Sequence, residues 1–436
     1  MNRFSLRHLL VDPLRNLIRR KGLRRLGLAI ATLLTLQLLI LPVFSQQPVK
    51  IRVMMQALEA AQWEPIETAF EEQNPDIDLE IIEAPNATNL VEDLYTSAFL
   101  LGDSPYDLVY LDIVWVPKFA AAGWLRPLDE FVEPAELDAF LAGDVAGGRY
   151  EESLYRLPFR SDGGMLYYRT DLLAKAGIEP PETFTELVQA SQALQDQGLA
   201  EWGYVWQGKQ YEGLAAMFVE ILAGQGADWV NPETLEVGLD SPEAIAALEF
   251  LHDAIAQGVS PEGVTTYAEE ETRRLFEAGD TVFLRNWPYV FALAAESDIA
   301  GNYGIKPMVH APGQSSGACQ GGWGLGMAEN TRHPEEAWRV MEFVSSEANQ
   351  REFVLQTAYV PSRKALFTDA AIVEKYPHYP DLLEAIENAA LRPPIAQYAQ
   401  ASDILQRYLS AALTDKMTPK AAMEAAARET RSLLAR

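Results

Sequence analysis

The sequence predicts two α/β lobes followed by a helical tail. Short apolar strand patterns alternate with helix patterns between Lys50 and Asp112, as expected for a β-α-β-α-β unit. A similar alternation begins again after Leu157-Pro158. From about Ala328 onward, the apolar spacing is almost entirely helical. This order of elements indicates two lobes rather than one large core, which suits a chain of 436 residues.

The first lobe is expected to contain three strands joined by two helices. The strands are predicted over Lys50–Gln56, Ile77–Ala84 and Tyr106–Leu111, and the helices over Trp63–Gln73 and Asn89–Leu101. Such a unit implies a mostly parallel sheet, in which ligands gather at the carboxyl ends of the strands. Glu59 and Asp112 each follow a predicted strand, so we expect both carboxylates at one rim.

The second lobe is expected to repeat the alternation. Leu166–Arg169 and Trp202–Trp206 are predicted strands, followed by helices near Thr183 and over Glu212–Ala223. Ser241-Pro242-Glu243 combines an N-cap, a proline at the first helical position and an acid near the positive helix end, so it predicts a further helix start. The helical tail is predicted from runs near 334–346, 381–390, 397–413 and 419–434.

Composition excludes several classes of protein. The chain has 62 acidic and 35 basic residues and a formal charge of −27, which disfavours binding to nucleic acid or to an anionic lipid surface. A single cysteine, Cys319, cannot form an intrachain disulfide, and the five scattered histidines lack metal-ligand spacing. We therefore expect no metal site and no cofactor.

The amino terminus has the pattern of an export signal. Residues 1–25 are rich in arginine, and an apolar run from Leu26 to Phe44 follows. Small residues precede a predicted cut between Ser45 and Gln46, so residues 1–45 are predicted to be a signal peptide. The alternative is an uncleaved membrane anchor, because the run is nearly long enough to span a bilayer. Arg19-Arg20 and Arg24-Arg25 leave both general and twin-arginine export open.

Aromatic, acidic, arginine and amide side chains are concentrated in a few polar or glycine-rich segments. A sugar has an apolar face that matches an aromatic ring and a rim of hydroxyls that carboxylates and guanidinium groups can bind. These segments therefore predict carbohydrate recognition. They are Leu111–Trp115, Pro158–Gly164, Trp206–Tyr211, Arg285–Tyr289 and Gly321–Gly324.

Structural explanations remain open for several of these residues. Trp115, Trp124 and Trp202 could be core aromatics, and Arg160 and Asp162 could simply pair with each other. The segment GGWGLG at Gly321–Gly326 lacks the spacing of a phosphate-binding loop, so a tight chain crossing is favoured. Glu269-Glu270-Glu271 is predicted to be a solvated helix face.

Six ordered motifs resemble the extracellular solute-binding proteins of bacterial ABC sugar importers, especially the trehalose/maltose-binding branch. The resemblance covers essentially all of residues 48–436. The motifs are LDIVWVPKFAAAGWLRPLD (Leu111–Asp129), LPFRSDGGMLYYRTDLL (Leu157–Leu173), VWQGKQYEGL (Val205–Leu214), LFEAGDTVFLRNWPYVF (Leu275–Phe291), GGWGLGMAENTRHPEEAW (Gly321–Trp338) and YVPSR (Tyr359–Arg363).

The resemblance implies a two-lobe periplasmic-binding-protein-like fold, with a hinge of three chain crossings and a ligand cleft between the lobes. Lobe 1 would comprise residues 46–157 and a return segment, 287–327; lobe 2 would comprise 158–286 and the helical part, 328–436. The crossings are expected near Leu157–Arg160, Leu284–Asn286 and Met327–Asn330. The implied protein is a periplasmic monomer that closes on its ligand and presents it to ABC permease subunits in the inner membrane.

The resemblance also implies a set of sugar-binding residues. Trp287 and Trp323 would stack on sugar rings, and Gly322 would offer its backbone N–H. The other expected ligand groups are Glu59, Asp112, Arg160, Asp162, Tyr289 and Arg363. A cleft or hinge-packing role is expected for Trp115, Trp206, Gln207 and Gln210.

Because the chain departs from the related sequences at two places, the sequence does not determine which sugar is bound. Arg160 stands where relatives often carry an aromatic residue, and Asn86–Asn89 lacks a basic group that some relatives use. Trehalose, maltose, sucrose and glucosylglycerol therefore all remain candidates for a non-catalytic binder. The alternatives are an exported glycoside hydrolase, which also uses carboxylates in an aromatic cleft, and a sugar-sensing periplasmic protein.

Overall fold

The computed structural model describes residues 47–102, 104–231, 234–387 and 389–435. The predicted signal peptide, 1–45, lies outside these residues. The residues from Lys50 onward form one compact unit. No helix in the described ranges is long and apolar enough to cross a membrane.

Eleven strands are found in the described residues. They are β1 Val49–Gln56, β2 Ile77–Ala84, β3 Leu108–Asp112, β4 Arg149–Tyr150, β5 Ser153–Leu154, β6 Leu157–Gly163, β7 Met165–Arg169, β8 Trp202–Val205, β9 Thr281–Asn286, β10 Tyr303–Lys306 and β11 Gln320–Met327.

The α-helices in the same residues are distributed along the whole described chain. They are α1 Ala57–Gln73, α2 Thr88–Leu100, α3 Val116–Ala121, α4 Pro134–Leu137, α5 Ala142–Ala146, α6 Thr170–Ala176, α7 Phe184–Asp196, α8 Glu212–Gln225, α9 Pro242–Ala256, α10 Glu269–Glu277, α11 Val290–Ala294, α12 Pro334–Ser345, α13 Glu347–Thr357, α14 Ala370–Lys375, α15 Tyr379–Glu387, α16 Tyr398–Leu413 and α17 Pro419–Leu434.

The predicted α/β alternation is confirmed, and most of the compared boundaries agree within two residues. One exception is α1, which begins at Ala57 instead of Trp63, so it already includes Glu59 in its first turn. The predicted cap at Ser241 is also confirmed, because its hydroxyl accepts a hydrogen bond from the Ala244 N–H at 3.1 Å.

The first main sheet has the strand order β3–β11–β6. Both of its ladders are antiparallel, and β1 and β2 pair with each other in a separate two-stranded sheet, so β1, β2 and β3 do not form the single sheet expected from the β-α-β-α-β order. The reason is that β11, from much later in the chain, inserts between β3 and β6. Asp112, at the end of β3, therefore lies beside a residue of β11 rather than beside β1 or β2.

A tyrosine hydroxyl joins β1 to this sheet. Tyr95 from α2 accepts hydrogen bonds from the backbone N–H groups of Met54 and Tyr110, at 2.9 and 3.2 Å, and donates to the Met54 carbonyl at 2.5 Å. Further along, the Asp107 N–H donates to the Arg52 carbonyl at 3.0 Å. A fully buried phenol thus satisfies strand groups that would otherwise lack partners.

The second sheet has the order β10–β7–β9–β8; its β8–β9 ladder is parallel, and its other two ladders are antiparallel. A large apolar core covers it, including Tyr167, Leu284, Phe276 and Tyr379. At the other side of the molecule, α12 and α13 pack against α1, with the Phe70 and Phe343 ring centres 5.4 Å apart. The helices α16 and α17 pack together and against α8 and α9.

The points at which the chain changes sheet differ from the predicted crossings. β6 stays in the first sheet up to Gly163 and β7 begins the second sheet at Met165, so the change falls after the expected boundary at residue 157. Within the predicted lobe 1 return segment, 287–327, Tyr303–Lys306 pairs with β7 in the second sheet and only Gln320–Met327 lies in the first. The assignment of segments to moving lobes stays a prediction.

The position of β11 between two strands makes its glycines sensitive to substitution. A Cβ atom at Gly324 would lie 2.3 Å from the Leu157 carbonyl oxygen, which belongs to the neighbouring strand and cannot rotate away. We predict that Gly324→Ala lowers the free energy of unfolding by about 3 kcal/mol, measured by urea denaturation.

The matched control is Gly163→Ala in the adjacent strand. Its Cβ would meet a single side-chain atom, Ile386 Cγ1, at 3.2 Å rather than backbone at 2.3 Å, so we expect a loss below about 1 kcal/mol. Equal urea midpoints for the two variants would contradict the packing explanation.

Candidate functional site

A cavity of about 210 Å³ brings residues of both sheets together. The first sheet contributes side chains from β3, β6 and β11, and the second contributes residues that follow β9. Helix starts and later loops complete the walls. The lining residues are Gln56, Leu58, Glu59, Asn86, Thr88, Asn89, Asp112, Arg160, Asp162, Tyr211, Glu212, Gly213, Ala216, Glu269, Glu270, Trp287, Tyr289, Gly321, Gly322, Trp323, Tyr359 and Arg392.

A buried guanidinium group organises one wall of the cavity. Arg160 donates from Nε and Nη2 to the two oxygens of Glu59, at 2.9 and 3.1 Å, and from Nη1 to Asp162 Oδ2 at 3.0 Å. Its planar group also lies over the ring of Tyr359, 4.4 Å from the centroid. Arg160 and Glu59 are 6% and 4% exposed, so these charges stabilise each other where water cannot.

Strand register places three predicted site residues side by side. Trp323 of β11 is paired with Asp112 of β3 on one side and with Arg160 of β6 on the other. Paired residues in a ladder share a face of the sheet. The Trp323 indole stacks on Tyr110, with ring centres 5.0 Å apart, and packs edge-on against Trp115 at 5.4 Å. Its ring is therefore held in place before any ligand arrives.

Gly322 satisfies both a conformational and a spatial requirement. Its φ angle of +136° is one that other residues rarely adopt. A Cβ atom there would also lie 2.9 Å from the Arg160 carbonyl oxygen and from Asp144 Oδ1. The glycine lets β11 pass close to β6 while its backbone lines the cavity.

The second indole, Trp287, rests on a buried ion pair. The Arg285 guanidinium lies 4.1 Å from the Trp287 ring centre and pairs with Glu220, with Nε to Oε2 at 2.7 Å. Arg285 Nη1 also donates to Gln207 Oε1 at 3.0 Å. Both charged groups are fully buried. This cation–π contact fixes the indole, which is itself only partly buried, at the cavity wall.

Two carboxylates at the start of α10 contact the aromatic side chains of the cavity. Tyr211 donates to Glu269 Oε2 at 2.7 Å, and the Trp287 indole Nε1 donates to Glu269 Oε1 at 3.4 Å. The Tyr289 hydroxyl donates to Glu270 Oε1 at 2.9 Å. The expectation that Glu269 and Glu270 form a solvated helix face was wrong, because both line the cavity.

Arg392 connects Asp112 with Glu212. Its Nη2 donates to Asp112 Oδ1 at 3.3 Å and its Nη1 to Glu212 Oε1 at 2.8 Å. Glu212, at the start of α8, also accepts hydrogen bonds from the hydroxyl groups of Tyr398 and Ser402. A single buried guanidinium thus joins the end of β3 to the helices of the carboxyl-terminal half.

Burial changes the proton affinity of two acids in and behind this wall. It raises the pKa of Asp162 to about 6, although Arg160 and Arg285 act in the opposite direction. Behind Gly322, burial raises the pKa of Asp144 to about 7, opposed by the nearby Arg156. Asp162 can therefore be either an acceptor or a donor of hydrogen bonds near neutral pH.

Eight of the nine predicted sugar-binding residues line the cavity: Glu59, Asp112, Arg160, Asp162, Trp287, Tyr289, Gly322 and Trp323. The alternative that Arg160 and Asp162 pair with each other also holds, since they do so within the cavity wall. The assignment of these residues to sugar binding stays a prediction.

Arg363 is the exception and requires a correction. Its Nη2 donates to Glu136 at 2.6 Å and its Nε to the Ser345 carbonyl at 2.7 Å, and its guanidinium lies 4.4 Å from the Phe140 ring centre. These contacts anchor the start of a 3₁₀ turn, Lys364–Thr368, and Arg363 is not part of the cavity lining.

The four possible cleft residues have other positions. Trp115 is buried beneath Trp323, as the core alternative proposed. Trp206 is fully buried and donates to Ser260 Oγ at 3.1 Å, which fits a packing role. Gln207 supports Arg285 from behind the cavity, whereas Gln210 is exposed, and neither lines the cavity.

The sequence analysis did not assign several lining residues to the site, although they lie in segments it had singled out. Tyr211, Glu212 and Gly213 belong to the quoted motif Val205–Leu214, and Glu212 is also at a predicted helix start, where acids are favoured. Tyr359 belongs to a quoted motif. Arg392 gave no local signal, because only tertiary packing brings it to Asp112.

A family model for bacterial extracellular solute-binding proteins matches residues 55–351. The chain belongs to this family. A probable ABC transporter-binding protein of Deinococcus radiodurans is 30% identical over 356 residues, which are 79% of this chain and 84% of the relative. A maltotriose-binding protein of Pyrococcus abyssi is 23% identical over 325 residues, 73% of this chain and 67% of the relative.

A solved structure supports the same assignment for the fold of this solute-binding protein. The maltose-bound MalE3 protein of T. maritima has a TM-score of 0.83 and 37% identity, and the match covers 88% of this chain and 100% of that protein. The predicted two-lobe periplasmic-binding-protein-like fold is confirmed. The resemblance to binding proteins of sugar ABC importers is confirmed as well.

The raised pKa of Asp162 gives a test of the cavity wall. Between its ordinary value of 3.8 and about 6, the folded chain keeps a proton that the unfolded chain has released. The free energy of unfolding should therefore fall as pH rises through this window. An amide at this position cannot ionise, so Asp162→Asn should be more stable than the wild type by about 1–3 kcal/mol at pH 7 and nearly equal to it at pH 4.

Urea denaturation at several pH values measures this difference, and Asp240→Asn is the contrasting variant. Hydrogen bonds from Arg431 lower the pKa of Asp240, so the ion pair stabilises the fold above the ordinary pKa and is lost as pH falls. Asp240→Asn should therefore be destabilising at pH 7 and less so at low pH. An Asp162→Asn effect that is independent of pH would contradict the assignment.

Proposed function

We propose that the chain is a non-catalytic receptor for a small uncharged glucoside or disaccharide. The class includes trehalose, maltose, sucrose and glucosylglycerol. In this proposal the protein is exported, acts as a periplasmic monomer, closes its two lobes around the sugar and delivers it to the permease subunits of an ABC importer. The observation that carries the proposal is the cavity in which two fixed indoles accompany a network of carboxylates and guanidinium groups.

The chemistry of the walls supports a sugar as the ligand. Trp287 and Trp323 supply aromatic surface for the C–H face of a pyranose ring, and each indole is already held by neighbouring groups. Asp112 and Asp162 provide carboxylate oxygens for hydroxyl groups at the same cavity. Because these side chains are preorganised, little conformational entropy is lost when the sugar binds.

The relatives support a carbohydrate without fixing which one. The T. maritima structure is described as maltose-bound, and the Pyrococcus protein is named for maltotriose. A Pseudomonas aeruginosa relative, 27% identical over 213 residues, is named a mannitol-binding protein. Two indoles favour a ligand with at least one closed ring over an open-chain polyol, so we favour a glucoside.

Lobe closure is supported by the origin of the cavity walls. With the predicted lobe boundaries, Asp112, Trp287 and Trp323 belong to lobe 1, whereas Arg160 and Asp162 belong to lobe 2. A ligand that touches both sets of residues gains most of its contacts only when the lobes approach each other. Binding would therefore shift the population toward the closed form, which the permease would recognise.

A thermal-shift screen tests this proposal directly. With residues 46–436, we expect at least one of maltose, trehalose, sucrose and glucosylglycerol to raise the melting temperature, because the ligand binds the folded form and not the unfolded chain. D-Mannitol serves as an open-chain comparison. If none of these compounds stabilises the protein at about 10 mM, the proposed ligand class is wrong.

The same mixtures separate binding from hydrolysis. A glycoside hydrolase would use a carboxyl group with a raised pKa, a property that Asp162 has, to protonate the leaving group. We expect no free glucose after overnight incubation with the stabilising sugar. Glucose release that disappears in Asp162→Asn would favour the hydrolase instead.

Truncation of the half-buried indole of Trp287 tests the ring-stacking role. Trp287→Ala should weaken binding of the stabilising sugar by about 1–3 kcal/mol, because ring area and polarisable contact are lost, and isothermal titration calorimetry measures the change. The control is Trp124→Ala, which removes a similarly half-buried indole that stacks on Phe99. Unchanged affinity in Trp287→Ala, or equal losses in both variants, would show that Trp287 does not face the ligand.

A further inference from the structure

The cavity has a large excess of negative charge. Six of its lining residues have carboxylates, and two have guanidinium groups. Arg160 and Arg392 are already committed to protein carboxylates. The acids are Glu59, Asp112, Asp162, Glu212, Glu269 and Glu270.

Five of these six carboxylates have a guanidinium partner. Arg160 pairs with Glu59 and Asp162, and Arg392 pairs with Asp112 and Glu212. The fifth acid, Glu270, pairs with Arg273, whose Nη2 lies 2.6 Å from Glu270 Oε2. Each of these five acids thus has a guanidinium partner, although Arg160 and Arg392 are each shared by two carboxylates, so the cavity as a whole keeps a negative charge.

Glu269 differs from the other five acids. Its hydrogen-bond donors are the Tyr211 hydroxyl at 2.7 Å and the Trp287 indole N–H at 3.4 Å, and both groups are neutral. Within the described ranges, no lysine, arginine or histidine forms an ion pair with it. Glu269 is the first residue of α10 and lies at the positive end of the helix dipole.

The position of Glu269 relates its charge to the ligand. The Glu269 carboxylate contacts the edge of the Trp287 indole. Arg285 covers one face of this indole. A ring stacked on the other face would place its rim of substituents toward the groups at the indole edge. A substituent there experiences the negative charge of Glu269, because the nearby Arg285 is already paired with Glu220, and electrostatic effects in this partly buried wall are stronger than in water.

We infer that Glu269 determines the charge of the ligand: the cavity accepts an uncharged or ammonium-bearing glycoside and rejects a phosphorylated or carboxylated one. This inference rests on the proposed function and adds a charge rule to it. Arg160 and Arg392 do not reverse the rule, because an anion would have to displace Glu59 and Asp162, or Asp112 and Glu212, from their ion pairs.

Calorimetry with matched derivatives tests the charge rule. Maltose and trehalose are each compared with the 6-amino-6-deoxy and 6-phosphate derivatives of the same sugar, so that opposite charges occupy the same carbon atom. For the parent sugar that binds, we expect the phosphate to bind at least about 30-fold more weakly and the amine within about threefold of the parent or more tightly. The difference in affinity between the amine and the phosphate should become smaller as the sodium chloride concentration is raised, because salt screens electrostatic interactions.

The variant Glu269→Gln separates charge from size. It replaces the carboxylate with an uncharged amide of nearly the same shape, so the parent sugar should still bind. The ratio of the affinity for the amine to the affinity for the phosphate should fall at least about fivefold. The control is Glu243→Gln, which removes an exposed acid from the first turn of α9 and should leave the ratio unchanged.

The outcomes distinguish this inference from the function on which it rests. If none of the six compounds produces heat, a maltose- or trehalose-binding role fails, and the charge rule fails with it. If a parent sugar binds and its phosphate binds equally well, the charge rule alone is overturned. If Glu269→Gln still binds the parent sugar and its ratio of amine to phosphate affinity is unchanged, Glu269 does not determine this preference.

Discussion

The shared guanidinium of Arg160 is the interaction on which the rest of the binding wall depends. One side chain from β6 holds Glu59 at the start of α1 and Asp162 two residues along its own strand. All three groups are at least mostly buried, and each charge lies within hydrogen-bond distance of an opposite charge. Together they also fix the Tyr359 ring, which covers the guanidinium plane.

The central position of β11 explains how the sheet presents this wall. A strand from late in the chain inserts between β3 and β6, and its register brings Asp112, Trp323 and Arg160 abreast. Small residues at Gly322 and Gly324 allow the close approach to β6. The glycine-rich segment therefore serves the packing of strands, and Trp323 is the large side chain that this packing directs to the cavity.

The sequence predicted the composition of the site better than its geometry. Trp287 and Asp112 were identifiable because an indole in a polar loop and an acid after a strand are unusual for a core. Glu269 was assigned to solvent, because an acidic run at a helix start looks the same whether it faces water or a cavity. Arg363 was assigned to the ligand on resemblance alone, although Glu136 and the Ser345 carbonyl occupy its donors.

Local sequence patterns also could not predict which distant segments of the chain pair with each other. The alternation of strands and helices suggested a parallel sheet, whereas β11 reaches its place only through tertiary structure. Arg392 joins the site from 280 positions away in the chain from Asp112. No periodicity or spacing near either residue encodes that contact.

The Tyr95 hydroxyl connects two strands through a single oxygen atom. On the helix α2, apolar spacing alone would accept phenylalanine or leucine at this position, since the ring is fully buried. Its hydroxyl nevertheless completes hydrogen bonds for β1 and β3 together. The requirement for a hydroxyl at position 95 therefore comes from the junction of two strands rather than from the helix on which the residue lies.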